Sequence, residues 1–185
     1  MGTEQTSEYY DKHYQKKKAY QKIHYRDFGR FPLWQTGLSY INKNFDSPDI
    51  SILEIGCGSG QFAAYLWDYG YRHYLGTDFS SVAIDMCQKL ISQKFKKEDC
   101  FKSIKREYDI VLAMEILEHL EKDLELLKMI PTGKKIVFSV PKFDEASHVR
   151  HFPKLEDVLK RYDSIIKIEE HTEFSKWFVI CGERV

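Results

Sequence analysis

Residues 52–62 read ILEIGCGSGQF, an apolar run with one acid that leads directly into three glycines. One residue separates Gly56 from Gly58, and one residue separates Gly58 from Gly60. Glycines spaced this closely after a strand are typical of a turn where the backbone approaches a ligand, because glycine has no side chain and adopts conformations that strain other residues. The stretch therefore predicts a buried strand followed by a ligand-binding loop and a helix.

The same succession of strand, turn and helix recurs along the chain. Further strand patterns cover 74–78, 95–99, 108–114, 134–140, 164–170 and 176–185. Helical spacing separates most of them, and one helix is predicted through Leu117, Leu120, Leu124 and Leu127. Strands separated by helices predict an α/β fold with a doubly wound, mostly parallel sheet that binds ligands at the carboxyl ends of its strands. The last two strands predict a C-terminal antiparallel hairpin.

The first 46 residues carry no strand pattern. Apolar residues at Trp34, Leu38, Ile41 and Phe45 predict a helix there. We predict a single domain over 1–185, with an N-terminal helical lid over 1–46 and a cofactor-binding core over 47–185. Six aromatic residues could close over ligands as part of this lid: Tyr10, Tyr14, Tyr25, Phe28, Phe31 and Trp34. Ordinary packing of these rings on the sheet is the alternative.

Composition narrows the possible partners and compartments. Lysine plus arginine and aspartate plus glutamate both total 28, so a net charge of zero argues against nucleic acid as a partner. No apolar run approaches the roughly 20 residues that span a bilayer, which predicts no membrane association. The four cysteines form no C-x-x-C pair, which argues against a disulfide framework or a zinc site and favours the reducing cytoplasm.

The spacing of the glycines and the next acid predicts a nucleoside ligand. A dinucleotide fingerprint reads G-x-G-x-x-G, whereas here the third glycine comes one residue early. Asp78 ends the second predicted strand, where a carboxylate accepts hydrogen bonds from ribose hydroxyls. The loop carries no lysine or arginine, and Glu54 in the preceding strand would repel a pyrophosphate. A nucleoside with a cationic centre fits these features better than a dinucleotide.

The order of four motifs resembles the class I S-adenosylmethionine-dependent methyltransferases. The motifs are ILEIGCGSG, TDFSS, KKEDCF and YDIVLAMEILEHL, and the resemblance covers 50–141. It implies a Rossmann-like seven-stranded sheet and the cofactor S-adenosylmethionine, which is converted to S-adenosylhomocysteine. The residues that the resemblance places at the cofactor are Glu54, Gly56, Cys57, Gly58, Gly60, Asp78, Phe79, Asp99, Cys100, Phe101, Met114 and Glu115.

A second pattern, E-x-x-E-H, begins at Glu115. On a helix, Glu115, Glu118 and His119 would share one face. The pattern resembles the metal site of small-RNA 2′-O-methyltransferases and of some quinone-pathway O-methyltransferases. We assign no metal ligand, because hydrogen bonds could equally satisfy the histidine. The alternative, a divalent cation bound with help from His148 or His151, stays open.

The reaction that the resemblance implies is methyl transfer by in-line displacement to an oxygen or nitrogen atom. His148 or His151 is the predicted general base, with Glu115 as the carboxylate alternative, because all three should lie at strand ends. We predict a small-molecule acceptor and a monomer or homodimer. Two alternatives remain: an RNA 2′-O-methyltransferase, and a non-catalytic subunit that binds S-adenosylmethionine to support a partner.

Overall fold

The structure, a computed structural model, describes residues 2–16, 20 and 24–185. Within these ranges the strands are β1 (Ile52–Ile55), β2 (Tyr74–Asp78), β3 (Lys94–Lys97), β4 (Ile110–Met114), β5 (Lys135–Pro141), β6 (Ile166–Glu173) and β7 (Trp177–Arg184). The helices are α1 (Ser7–Lys16), α2 (Phe31–Asn44), α3 (Gln61–Asp68), α4 (Ser81–Leu90), α5 (Cys100–Ser103), α6 (Asp123–Lys128) and α7 (Leu155–Tyr162), with 3-10 turns at Tyr25–Asp27 and Leu117–His119. The predicted lid also includes residues 1, 17–19 and 21–23, which lie outside the described ranges.

The seven strands form one sheet in the order β3-β2-β1-β4-β5-β7-β6. Strands β1 to β5 are parallel, and β7 is antiparallel to both β5 and β6. The doubly wound sheet and its C-terminal hairpin are therefore confirmed. The chain reverses its direction of winding beside β1, which pairs with β2 on one edge and β4 on the other. A cleft opens at the carboxyl ends of the strands at such a switch point.

Apolar side chains fill both faces of the sheet. Every residue of β1 and β4 is buried, as expected for central parallel strands. Val111 belongs to one apolar cluster and its neighbour Leu112 to the other, because successive residues of a strand point to opposite faces. Helix α2 packs on the second face, where the ring of Trp34 lies parallel to that of Phe62 at 6.0 Å. This packing fixes the strand ends that build the cleft.

The helix predicted through Leu117, Leu120, Leu124 and Leu127 is wrong, because two short elements replace it. The 3-10 turn ends at His119, Leu120 is extended (φ −101°, ψ 123°), and α6 begins at Asp123. Asp123 is fully buried, and its carboxylate accepts hydrogen bonds from Arg161 (2.8 and 2.6 Å) and Tyr162 (2.8 Å). These contacts tie the start of α6 to α7, so a new helix begins there.

The third strand is displaced from its predicted position at 95–99. Strand β3 covers Lys94–Lys97, and Asp99 instead caps α5 by accepting a hydrogen bond from the Phe101 amide at 2.8 Å. An edge strand exposed on most of its length lacks the apolar alternation that marks central strands. In the part of the chain that the structure describes, no helix has the length and apolar character needed to cross a bilayer.

Candidate functional site

A cavity of about 580 Å³ opens at the carboxyl ends of β1, β2 and β4. Of the twelve residues predicted to bind the cofactor, all except Gly60 line it. These residues come from β1, the glycine loop that follows it, the ends of β2 and β4, and the start of α5. The sequence motifs thus meet in one place, and the cavity continues from them towards Arg30, His119, His148 and Trp177.

The three glycines of the loop are required for different reasons. All three have left-handed backbone angles, with φ of 67°, 54° and 85° for Gly56, Gly58 and Gly60. A side chain on Gly56 would place its Cβ 1.8 Å from the Cδ1 atom of Ile116, so this position cannot accept one without rearrangement. Gly60 faces Cys87 of α4, whose Sγ would lie 3.0 Å from an added Cβ. Gly60 therefore serves packing and the start of α3, whereas Gly56 and Gly58 line the cavity.

Asp78 joins the glycine loop to α4. Its Oδ2 atom accepts a hydrogen bond from the Gly58 amide at 3.1 Å, and its Oδ1 atom accepts one from the Ser80 amide at 2.8 Å. Burial raises the pKa of Asp78 to about 6 despite these two bonds. The carboxylate also lines the cavity, in the position expected to receive ribose hydroxyls. The next residue, Phe79, lies against Tyr10 of α1 with ring centroids 5.3 Å apart.

The protonation state of Glu54 differs from the ionised one that the sequence analysis assumed. It is buried, accepts a hydrogen bond from the Tyr74 hydroxyl, and burial raises its pKa to about 8. The carboxyl group is therefore mostly neutral at pH 7, so its expected repulsion of a pyrophosphate is weak. What disfavours a pyrophosphate is the lack of lysine and arginine in 56–62.

Glu115 is held by three residues from distant parts of the chain. Its Oε1 atom accepts a hydrogen bond from Ser139 Oγ (2.9 Å), and its Oε2 atom accepts one from Trp177 Nε1 (2.6 Å). The Nε atom of Arg30 lies 3.5 Å from the same Oε2. Burial raises the pKa of Glu115, although Arg30 opposes the effect. Sequence motifs gave no sign of Ser139, Trp177 or Arg30, because each joins the site only through the fold.

The backbone of Glu115 is strained. Its φ of 59° makes it the one described non-glycine residue with a positive φ. Such a conformation costs an amino acid with a Cβ about 1–2 kcal/mol. The hydrogen bond from its amide to Ser139 Oγ (2.9 Å) holds the residue in place. Glu115 consequently does not share a helical face with Glu118 and His119, contrary to the predicted spacing, because the residue lies outside any helix.

Three acceptor groups meet beside Glu115 instead. One potential ligand atom from each of Glu118, His119 and His148 lies within 4.8 Å of the other two. Glu118 is fully buried, and neither of its carboxylate oxygens accepts a well-formed hydrogen bond from any described residue. Burial, followed by the charge of Glu115, raises the pKa of Glu118 well above its usual value. A buried carboxylate without donors is costly unless a proton or a cation accompanies it.

The hydrogen bonds of the two histidines determine which ring nitrogen faces this cluster. The Nδ1 atom of His119 lies 2.8 Å from the Ser147 carbonyl, and that of His148 lies 3.2 Å from the Phe143 carbonyl. A carbonyl oxygen only accepts, so Nδ1 carries the proton in each neutral ring and Nε2 carries a lone pair. Burial lowers the pKa of His119 to about 4, which keeps that ring neutral at pH 7. Glu118, His119 and His148 therefore fit a divalent cation, because backbone carbonyls orient both imidazoles as ligands.

The other predicted site residues are divided between the cavity and the core. His151 does not line the cavity, and its Nδ1 atom lies 3.9 Å from Asp144. Four predicted lid residues do line it: Tyr10, Tyr14, Phe28 and Trp34. Tyr25 and Phe31 instead pack against Tyr65 of α3, with ring centroids 5.0 and 5.1 Å apart.

Comparison with known proteins identifies related sequences. The family described as "Methyltransferase domain" matches residues 17–175. The ribosomal protein L11 methyltransferase of Lactobacillus johnsonii is 29% identical over 129 residues, which cover 65% of this chain and 38% of that protein. The enzyme of the same name from Aquifex aeolicus is 23% identical over 197 residues, covering 91% of this chain and 74% of that protein. The chain thus spans well under half of the first relative and about three quarters of the second.

A solved structure shares the fold. The magnesium protoporphyrin IX methyltransferase of Synechocystis PCC 6803, crystallised with bound S-adenosylmethionine, superposes with a TM-score of 0.64. The two sequences are 18% identical, and the match covers 82% of this chain and 78% of that protein. At this identity the likeness concerns the arrangement of the sheet and its helices.

Proposed function

Because the chain belongs to the class I S-adenosylmethionine-dependent methyltransferases, we propose that it methylates an oxygen or nitrogen atom of a small-molecule acceptor. The observation that carries the proposal is the continuity of one cavity from Asp78 to His148. In-line displacement requires acceptor atom, methyl carbon and sulfur to lie on one line. A cavity that holds the cofactor at one end and the acceptor at the other provides this alignment, which contributes on the order of 7–11 kcal/mol in well-oriented reactions.

Among the three residues predicted as general base, His148 has the best support. Its Nε2 atom carries a lone pair in the neutral ring, and the residue lines the cavity. Both oxygens of Glu115 already accept hydrogen bonds, from Ser139 and Trp177. His151 lies off the cavity wall. We therefore assign His148 to accept the proton that the acceptor loses on methylation.

The cluster of Glu118, His119 and His148 also supports a divalent cation. One carboxylate and two imidazoles suit first-row transition metals. When bound, such an ion lowers the pKa of a coordinated hydroxyl group. Coordination would occupy the Nε2 lone pair of His148, so ligand and base are exclusive roles for this residue.

Titration of metal-free protein with Mn²⁺ and Zn²⁺, followed by calorimetry, separates the two roles. Saturable binding that His148→Ala removes would assign His148 as a ligand. A flat titration, with methyl transfer unchanged by a chelator, would leave His148 as the base. His151→Ala serves as the matched control in both cases, because His151 lies outside the cluster.

The small size of the acceptor is proposed from the residues that cover the cavity. Tyr10, His13 and Tyr14 of α1 line it, so the helix lies where a bulky acceptor would enter. The rival is a protein acceptor, which is favoured by the similarity to enzymes named for ribosomal protein L11. A lysate incubated with labelled S-adenosylmethionine distinguishes them. Label that moves into a small-molecule product other than S-adenosylmethionine only when the protein is added supports the proposal. Label that the added protein transfers to precipitable protein or RNA instead overturns it.

We also propose a domain organisation, an oligomeric state and a cellular location for the enzyme. We propose that 1–185 acts as one domain, with 1–46 as its lid, in a monomer or homodimer. A cytoplasmic location is supported by four cysteines that are all free thiols. The balanced charge supports the absence of a nucleic-acid partner.

A further inference from the structure

Helix α1 lies across the cavity although none of its residues is fully buried. Tyr10 and Tyr14 form part of the cavity wall, yet a ten-residue helix with little buried surface is only marginally stable by itself. Specific contacts must therefore hold α1 against the rest of the molecule. Among the polar contacts that the described residues make with α1, three converge on a single side chain, Asp11.

Asp11 binds the first turn of α4. Its Oδ1 atom accepts hydrogen bonds from Ser80 Oγ (2.5 Å) and the Val82 amide (3.2 Å), and its Oδ2 atom accepts one from Ser81 Oγ (3.0 Å). The first turn of a helix leaves amides without partners and carries partial positive charge, which favours a carboxylate. Burial alone would raise the pKa of Asp11, but the bonds from Ser80, Val82 and Ser81 hold the pKa below its usual value.

The same serine connects Asp11 to the cofactor half of the cavity. Ser80 donates its hydroxyl to Asp11 and its amide to Asp78. Its Oγ atom also accepts a hydrogen bond from the Ala83 amide at 3.1 Å, as the N-cap of α4. Ser80 therefore links Asp78, which is expected to bind the ribose, to Asp11, which holds α1.

Asp11 belongs to the same helix as two aromatic residues of the cavity wall. Tyr10 packs against Phe79 and lies 5.8 Å from the ring of His119. Tyr14, one turn further along α1, extends over Gly58, where an added Cβ would be 3.1 Å from its hydroxyl oxygen. A ligand that lies against both Gly58 and Asp78 is therefore next to Tyr10 and Tyr14 of α1.

We propose that Asp11 is a positioning residue that fastens α1 over the bound cofactor and thereby sets the rate at which cofactor and product leave. Movement of α1 away from the cavity breaks the three hydrogen bonds to Asp11 and uncovers a ligand that lies against Gly58 and Asp78. The inference rests on cofactor binding in this cavity and is independent of the acceptor. The experiment below can therefore contradict it without contradicting the proposed methylation of a small molecule.

The test compares Asp11→Ala with Asp85→Ala, which removes the same charge from an exposed position on α4. Release of S-adenosylhomocysteine is followed by stopped-flow fluorescence of Trp34 and Trp177, which both line the cavity. We expect Asp11→Ala to release it about tenfold faster, because hydrogen bonds to a charged group are lost. Asp11→Asn should give an intermediate rate, since its amide oxygen still accepts a hydrogen bond. Asp85→Ala should match the unmodified protein.

Hydrogen exchange separates positioning from general destabilisation. If Asp11 acts as proposed, Asp11→Ala speeds exchange of the amides of 7–16 and leaves the amides of β1 and β4 protected. Should Asp11→Ala fail to fold, Ser81→Ala removes one of the three donors and leaves the N-cap Ser80 intact. Unchanged release rates, or faster exchange across the whole sheet, would overturn the proposal.

Discussion

The two halves of the cavity are built in different ways. In the cofactor half, the lining residues come from short contiguous stretches, which are 56–59, 78–79 and 98–101. In the acceptor half, side chains converge from separate elements: Arg30, Glu115, Ser139, His148 and Trp177. The first half is specified locally, whereas the second exists only once the sheet and the C-terminal hairpin have assembled.

The difference has a functional consequence. The glycine loop can keep its cofactor geometry while the acceptor half changes, because the Gly58 amide donates its hydrogen bond to Asp78 in the same half. Glu115 and Glu118 belong to the acceptor half. The strained backbone of Glu115 and the buried carboxylate of Glu118, which accepts no well-formed hydrogen bond from a described residue, both lower the free energy of unfolding. Substitutions in the cofactor half should therefore lower the affinity for the cofactor, and substitutions in the acceptor half should lower kcat while leaving that affinity nearly unchanged.

The largest separation is expected from His148→Ala. Loss of a general base or of a metal ligand should lower kcat by about 10²- to 10⁴-fold, while the affinity for S-adenosylhomocysteine changes by less than about threefold. His151→Ala is the matched control and should retain activity, because that side chain lies off the cavity wall. Steady-state kinetics with the acceptor identified in the lysate-labelling experiment, together with calorimetry, measure both quantities. Equal losses in the two histidine variants would contradict this assignment.

Asp78→Asn should affect the opposite half. The amide keeps the shape of the side chain but offers one acceptor oxygen instead of two, so the ribose and the amides of Gly58 and Ser80 compete for it. We expect the affinity for S-adenosylhomocysteine to fall about 100-fold, or roughly 2.7 kcal/mol. Asp85→Asn, an exposed change of the same kind, should bind normally. Calorimetric affinities within threefold of each other for both variants would be incompatible with a ribose contact at Asp78.

Cofactor affinity should also fall on acidification. Asp78 has a pKa of about 6, because burial disfavours its charged form. Above pH 6 the ionised carboxylate accepts hydrogen bonds at both oxygens, and below it the protonated group loses accepting capacity. Affinity for S-adenosylhomocysteine should therefore decline by up to about tenfold for each pH unit below 6, where Asp78 becomes protonated. Asp78→Asn should flatten this profile, and a profile of unchanged steepness in that variant would assign the titration to another group.

The smallest effect is expected from Gly60→Ala, which tests whether the third glycine belongs to the cofactor half. Its φ of 85° and the approach of Cys87 predict a loss of about 1–2 kcal/mol in the free energy of unfolding. Affinity for S-adenosylhomocysteine should stay within about threefold, because Gly60 does not line the cavity. Gly58→Ala, which places a methyl group on the cavity side, is the comparison and should weaken binding more. Chemical denaturation and calorimetry on the two variants give both numbers.

The contrast between the halves also explains which features the sequence could predict. The succession of strands and helices, the glycine loop and the position of Asp78 at the end of β2 depend on local spacing, so the sequence was sufficient to predict them. The sequence could not show that Trp177 and Glu115, 62 residues apart, share a hydrogen bond. Leucine spacing predicted one helix after Met114. Instead, a 3-10 turn follows the left-handed Glu115, and a separate helix, α6, begins at the buried Asp123. Glu118 and His119 consequently face His148 without Glu115.

One measurement tests the central claim, that the glycine loop and Asp78 form a site for a nucleoside without a pyrophosphate. Calorimetric titration of the purified protein at pH 7.5 with S-adenosylhomocysteine, and separately with NAD, compares the two classes of ligand. The account predicts saturable one-to-one binding of S-adenosylhomocysteine and no detectable heat with NAD. Saturable binding of NAD, with none of S-adenosylhomocysteine, would contradict it.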